Sequence, residues 1–262
     1  MKRHIFVHRM AGAIAAGIVM LSALCNCAEA VLVFNDGGEH IINYEVHDVV
    51  YVDEASPGVG TKVNLLDGGW IHAWLDAYED SRINILGGQV SGSVHAYGRS
   101  NVTMTGGEIG GPFYGRDNAI IDISGGELGS WLQTFNDVEA TISGGQISLF
   151  VEAWDNSRIT ISGGVIGGRI AAVRDSLITI VGTNFAINGV PVAYGDFARE
   201  YGIIGVITGT LANGDVMNNS YSLVHTGADI RFIPEPATIL LVLGGIVGAR
   251  LGRRHAATKT EV

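Results

Sequence analysis

The sequence predicts an all-β fold: a parallel β-helix, or solenoid, built from nineteen-residue coils. Three observations predict it. Glycine doublets recur at a constant step, short apolar runs alternate with polar residues at period two, and equivalent positions of successive repeats carry the same class of side chain.

The doublets begin at Gly68, Gly87, Gly106, Gly125, Gly144 and Gly163, with Gly182-Thr183 as a relic, and every step equals the first, from Gly68 to Gly87. The chain has 38 glycines in 262 residues, too few to produce six identical consecutive steps by abundance alone. A fixed internal period of this length signals a repeat architecture. We number each repeat from its first glycine. Position 4 holds Ile71, Val90, Ile109, Leu128, Ile147 and Ile166; position 8 holds Leu75, Val94, Phe113, Leu132, Val151 and Ile170. Position 16 holds Ile83, Val102, Ile121, Ala140, Ile159 and Ile178; position 18 holds Ile85, Met104, Ile123, Ile142, Ile161 and Ile180. Position 10 is small in every repeat, from Ala77 to Ala172. Alternation of these positions with polar neighbours is a strand signal. No apolar stripe at helical spacing fits between the glycine pairs. The glycines supply backbone angles for one tight corner. The polar pairs Asp117-Asn118, Asn136-Asp137 and Asp155-Asn156 mark a second.

Each repeat therefore reads as one coil. Coils stacked about 4.8 Å apart make six repeats roughly 30 Å of rod, with like residues above like and an aliphatic core no single coil could bury. Ile123, Ile142 and Ile161 should be vertical neighbours. The period differs from that of hexapeptide solenoids, and the glycine-rich nonapeptide of calcium rolls is absent. The pattern is similar to a right-handed β-helix of pectate-lyase-like architecture. Residues 68–183 form the regular repeats. Residues 31–67, where Thr61–Gly69 mirrors Ser81–Gly88 with Asp67 inserted, are expected to be an N-terminal cap or irregular coils. Residues 184–232, with turns at Asn188-Gly189, Thr208-Gly209 and Asn213-Gly214, are expected to be a C-terminal β cap. Their stretch YGIIGVITGTLANGDVMNN resembles the segment that follows β-helical repeats in bacterial PEP-CTERM proteins.

The two ends read as addresses. Lys2, Arg3 and Arg9, an apolar run from Ala11 to Leu24, and Ala28-Glu29-Ala30 fit a secretory signal peptide over 1–30. Residues 233–255 carry Pro234-Glu235-Pro236, a short apolar run and the cluster Arg250, Arg253 and Arg254, followed by a tail, 256–262. This ordered triplet resembles the PEP-CTERM sorting signal of Gram-negative bacteria. The resemblance implies a hydrophobic sorting helix, transient inner-membrane anchoring through 237–252, processing by an exosortase-type enzyme, and final residence at the cell surface or in the extracellular polysaccharide matrix. Both cysteines, Cys25 and Cys27, lie in the leader, so the mature chain has no disulfide, thiolate metal site or cysteine nucleophile. Between residues 31 and 233 nine Lys and Arg face 23 Asp and Glu. That balance argues against nucleic acid, whose phosphates need a cationic partner.

The candidate functional residues lie on one outward face. Positions 7, 9 and 11 bring together Trp74, Asp76, Tyr78, His95, Tyr97, Tyr114, Arg116, Trp131, Phe135, Phe150, Glu152 and Trp154. Eight of the ten aromatic residues between Gly68 and Val181 fall there. A stripe of this kind suits sugar binding, with ring faces under pyranose faces and acids and arginines at the hydroxyls. It equally suits a ladder of stacked rings that stiffens the sheet, or a seat for the terminal segment. Catalysis is not expected. Asp76 and Glu152 stand four coils, about 19 Å, apart, beyond the roughly 5–9.5 Å of a glycosidase carboxylate pair. His95 one coil above Asp76 is the only acid–imidazole pairing that the sequence register places, and no serine-hydrolase, zinc-protease or phosphate-loop motif is present. No metal or cofactor is expected. The sequence thus points to an exported structural or adhesive solenoid, with a polysaccharide-binding or polysaccharide-degrading protein as the alternative.

Overall fold

The computed structural model describes residues 31–196, 203–225 and 227–235, all of whose regular structure is β. The leader 1–30, Pro236, the apolar run 237–252, the arginines 250, 253 and 254, and the tail 256–262 lie outside the described residues. The chain winds into a parallel solenoid of about eight turns at about 19 residues per turn.

Two parallel sheets run along the rod. The first is built from positions 8–10: Leu75–Ala77, Val94–Ala96, Phe113–Gly115, Leu132–Thr134, Val151–Ala153 and Ile170–Val173. Their register is strictly like on like, Leu75 to Val94, Phe113, Leu132, Val151 and Ile170. The second sheet is built from positions 15–18, and Ile85, Met104, Ile123, Ile142, Ile161 and Ile180 form one unbroken column in it. Short strands at positions 3–4, such as Trp70–Ile71 and Gln89–Val90, flank it in the early coils. In later coils they fuse with it into Glu139–Ile147 and Arg158–Ile166. Every residue at positions 4, 8, 10, 16 and 18 is buried. The alternation in the sequence thus separates core from solvent because successive side chains of a strand point to opposite faces.

Backbone sterics explain the corners. At position 12, Glu79, Gly98, Asp117, Asn136, Asp155 and Arg174 all take left-handed φ between 52 and 66°. This region penalises most side chains, with Asn and Asp among the better tolerated. A side-chain ladder supports it. Gly98 N donates to Asp117 Oδ2 at 3.0 Å, Asp117 N to Asn136 Oδ1 at 3.1 Å, and Asn136 N to Asp155 Oδ2 at 3.2 Å. The Asp/Asn run is turn chemistry. At the other corner the second glycine of each doublet, Gly88 to Gly164, has φ between 68 and 90°. There the next coil passes so close that a Cβ on Gly126 would meet Gly106 O at 2.7 Å.

The stack begins before the regular repeats. Leu32–Phe34 pairs with Val50–Val52, which pairs with Leu75–Ala77; Glu39–Ile42 pairs with Lys62–Leu65, which pairs with Arg82–Ile85. Residues 31–67 are therefore stacked coils of irregular length. Their extra residues form the loop after Asp53, whose buried carboxylate accepts from Thr61 N at 2.7 Å and Thr61 Oγ1 at 2.6 Å.

At the other end the chain leaves the coil after Val181. Leu177–Ile187 pairs antiparallel with Ile204–Leu211, which pairs antiparallel with Val216–Val224. The chain then returns to the stack. Val216–Val224 joins the first sheet parallel to Ile170–Val173, placing Tyr221 over Ile170 and Leu223 over Ala172. Asp229–Ile233 joins the second sheet, placing Ile230 over Ile178 and Phe232 over Ile180. Sequence register fails after Phe185 because a hairpin excursion intervenes, yet the columns resume in space with Tyr221 and Phe232. Phe185 packs on Phe232, ring centroids 4.7 Å apart.

Candidate functional site

Register dictates the outward face of the first sheet. In-register parallel strands place like residues one coil apart, so rings at equivalent positions lie face to face. At position 11, Tyr78 stacks on Tyr97 with centroids 5.0 Å apart and planes within 12°, Phe135 stacks on Trp154 at 6.0 Å, and Arg116 lies over Phe135 at 4.7 Å. At position 7, Trp131 stacks on Phe150 at 5.1 Å and 7°, and Arg169 covers Phe150 at 5.6 Å. At position 9, His95 stacks on Tyr114 at 5.4 Å. These rings are half-buried and turn edges, rather than faces, to solvent. Trp74, at the start of the position 7 row, is 51% exposed. At the far end the outward residues of the last repeat, Ala171 and Val173, are buried.

Two nearly buried acids organise this face. Asp76, 6% exposed, contacts His95 Nδ1 at 2.6 Å through Oδ1 and accepts from Tyr78 Oη at 3.3 Å through Oδ2. Burial, reinforced by the Asp76 charge, pushes the Tyr78 phenol well above the usual tyrosine range, and the same causes raise Tyr97. Glu152, 4% exposed, accepts from Gln133 Nε2 at 2.7 Å and Trp154 Nε1 at 3.2 Å through Oε2, and from Arg169 Nη2 through Oε1. The candidate residues thus gather into two separate networks. Asp76, Tyr78, His95, Tyr97 and Tyr114 form one; Trp131, Phe135, Phe150, Glu152 and Trp154, with Arg116 and Arg169, form the other. The expected His95–Asp76 contact is present. The two carboxylates sit four paired strands apart.

A second constellation lies on the second sheet near its N-terminal end. Glu45 lies on the two-residue strand Glu45–Val46 and His47 follows directly after it, the two flanking inward Val46. That strand pairs with Trp70–Ile71, Glu45 opposite Trp70 and Val46 opposite Ile71, which carries His72 alongside His47. The imidazoles lie 4.5 Å apart between centroids. Glu45 Oε2 is 3.6 Å from His47 Nε2 and 3.9 Å from His72 Nε2. Trp70 stacks on His72 at 3.9 Å and is itself held by donating Nε1–H to Ser91 Oγ at 2.7 Å. His72 Nε2 has no exposed surface and no hydrogen-bond partner. Sequence reasoning missed this trio because the lap from His47 to His72 is longer than the regular repeat and falls outside its period. The available signal was the paired pattern Glu45-x-His47 and Trp70-x-His72, each centred on a core position.

Among the described residues no helix is long and apolar enough to cross a membrane. No family model, no curated protein and no solved structure matches the chain.

Proposed function

We propose that the chain is an exported structural or adhesive rod of the cell surface or extracellular matrix. The observation that carries this reading is the stacked aromatic sheet, whose rings lie against one another and leave Trp131 Nε1 as their one buried unpaired donor among the described residues. Its rings stack on one another and its two nearly buried acids are held by neighbouring groups of the same face, Asp76 by Tyr78 and His95, Glu152 by Gln133, Trp154 and Arg169, so the face stiffens the solenoid. Stacked cross-strand aromatic pairs contribute about 0.2–1 kcal/mol each, repeated along the axis. The finer features belong to the same proposal. The coil is right-handed and pectate-lyase-like, residues 1–30 are a signal peptide, and Pro234-Glu235-Pro236 with the 237–252 segment and Arg250, Arg253 and Arg254 is a PEP-CTERM signal handled by an exosortase-type enzyme. Export through an exosortase-bearing Gram-negative host tests it. The unaltered chain should reach the extracellular fraction, and a Pro234→Ala/Glu235→Ala/Pro236→Ala variant should stay with the membrane. Equal release of both would contradict the sorting role.

One observation favours a second reading, contact with polysaccharide: Trp74 is large, aromatic and half exposed at the edge of the stripe. A glycan array probed with the full chain separates the two. Binding that falls at least tenfold in Trp74→Ala would support the second reading; no binding supports the rod. Acidic polysaccharides should yield no unsaturated product, and turnover abolished by His95→Ala would overturn the non-catalytic assignment.

A further inference from the structure

We propose that Glu45, His47 and His72 form a binding site for a divalent late transition-metal ion, Zn2+ being the ion they fit. This departs from the expectation, drawn from motifs alone, that the chain binds no metal, and it does not depend on the aromatic sheet. The candidate ligand atoms all lie within 4.8 Å of one another. A triangle with edges of 3.6, 3.9 and at most 4.8 Å has a circumradius of about 2.4 Å. Zn–N and Zn–O bonds are about 2.0–2.2 Å long, so small rotamer adjustments would close the site.

The contacts make poor sense without an ion. At 3.6 and 3.9 Å neither imidazole nitrogen is within hydrogen-bonding distance of the carboxylate. His72 Nε2 is shut away from water and left unpaired, as are Ser81 Oγ, Ser100 Oγ and Trp131 Nε1 among the described residues; of the four it is the one with metal-ligand chemistry that lies beside two further candidate ligands. Its ring cannot turn freely, because Trp70 covers one face and is pinned to Ser91. A metal would satisfy His72 Nε2 directly and give the two adjacent imidazoles a shared partner. Glu45 and His47 are exposed, with side chains 58% and 71% accessible, so an ion can enter from solvent. Three protein ligands leave a fourth position for water, as in open zinc sites. Two imidazole donors suit Zn2+, Cu2+ or Ni2+ and disfavour Ca2+ and Mg2+, which take oxygen ligands. The backbone brings the two histidines together without an ion: each directly follows one of two paired strands, and His72 N donates to Val46 O at 2.9 Å.

The test titrates the untagged chain with Cys25 and Cys27 replaced by serine, stripped with a chelator, with ZnCl2 in a calorimeter. One Zn2+ per chain is expected. Glu45→Gln and His47→Ala should each weaken binding at least tenfold, beyond the lower bound for losing an outer-shell partner. Glu45→Gln keeps the side chain's shape on an exposed position, so misfolding does not obscure the result. Cu2+ should quench tryptophan fluorescence through Trp70, and the quenching should weaken in His47→Ala. The proposal is overturned if the chain takes up no Zn2+, if Glu45→Gln and His47→Ala bind like the unaltered chain, or if Ca2+ binds as tightly as Zn2+.

Discussion

Replacing Gly126 by alanine, with Gly189→Ala beside it, measures how closely the coils approach. Both glycines have φ of +81°. Forcing an L-residue into the left-handed region costs about 1–2 kcal/mol, and both variants bear that cost. Both also lose the unfolded-chain freedom peculiar to glycine, a stabilising effect of about 0.4–1 kcal/mol. They differ in surroundings. A Cβ at Gly189 meets nothing within 4 Å, whereas at Gly126 it would lie 2.6 Å from Met104 Cε and 2.7 Å from Gly106 O, the latter fixed in the neighbouring coil. Forcing a methyl into packed structure adds about 1–3 kcal/mol. Gly189→Ala should therefore destabilise by about 0–1.6 kcal/mol, and Gly126→Ala by about 1–4.6 kcal/mol. Urea unfolding followed by far-ultraviolet circular dichroism reads the difference. Equal losses would refute the claim that stacking, rather than turn geometry alone, requires glycine at this corner.

Other substitutions probe the column, the acid network and the phenols. Ile142→Ala, in the buried column between Ile123 and Ile161, should cost about 2–5 kcal/mol, while exposed Thr141→Ala should change stability by less than about 0.5 kcal/mol; equal effects would misplace the core. Glu152→Ala leaves the Gln133 and Trp154 donors unpaired and should cost about 1–3 kcal/mol, checked by the same unfolding assay; no loss would mean the network is ornamental. Tyr78 and Tyr97 ionise above the usual range in the folded chain. Above about pH 10 the unfolded phenols release protons that the folded ones keep, so the unfolded state binds fewer and stability must fall as pH rises. Tyr78→Phe should flatten that alkaline decline, measured as unfolding midpoint against pH; an unchanged slope would place the titration elsewhere.

Much of the core was legible because a stacked coil repeats its side chains and its environment together. Ile71, Leu75, Ala77, Ile83 and Ile85 could be assigned inward from their alternation alone, and their counterparts in every later coil followed. The corners were legible for the same reason, as Asp117, Asn136 and Asp155 recur where the backbone turns left-handed. Two things escaped. Tyr221, Leu223, Ile230 and Phe232 finish the columns after the hairpin excursion, and a sequence period cannot see a strand that leaves and returns. The Glu45, His47 and His72 cluster arises where an irregular coil makes a longer lap, so no periodic scan aligns the histidines. On the aromatic face, the positions were readable and the stacking was not. Rings pointing outward at equivalent sites can stand apart or lie against each other, and strand spacing settles it in favour of ladders. That turns a surface that looked made for sugar faces into one that mostly presents edges.

Spin-label distances along one outward column test the solenoid most directly. Arg82, Glu139, Arg158 and Leu177 all occupy position 15, and register stacks them in one line. With Cys25 and Cys27 replaced by serine, nitroxide pairs from residue 82 to residues 139, 158 and 177 span three, four and five coils. At about 4.8 Å per coil the pulsed dipolar distances should centre near ~14, ~19 and ~24 Å, rising by one even step. Distances that do not increase with coil number, or that grow by much more than one strand spacing per repeat, would contradict the stacked coil.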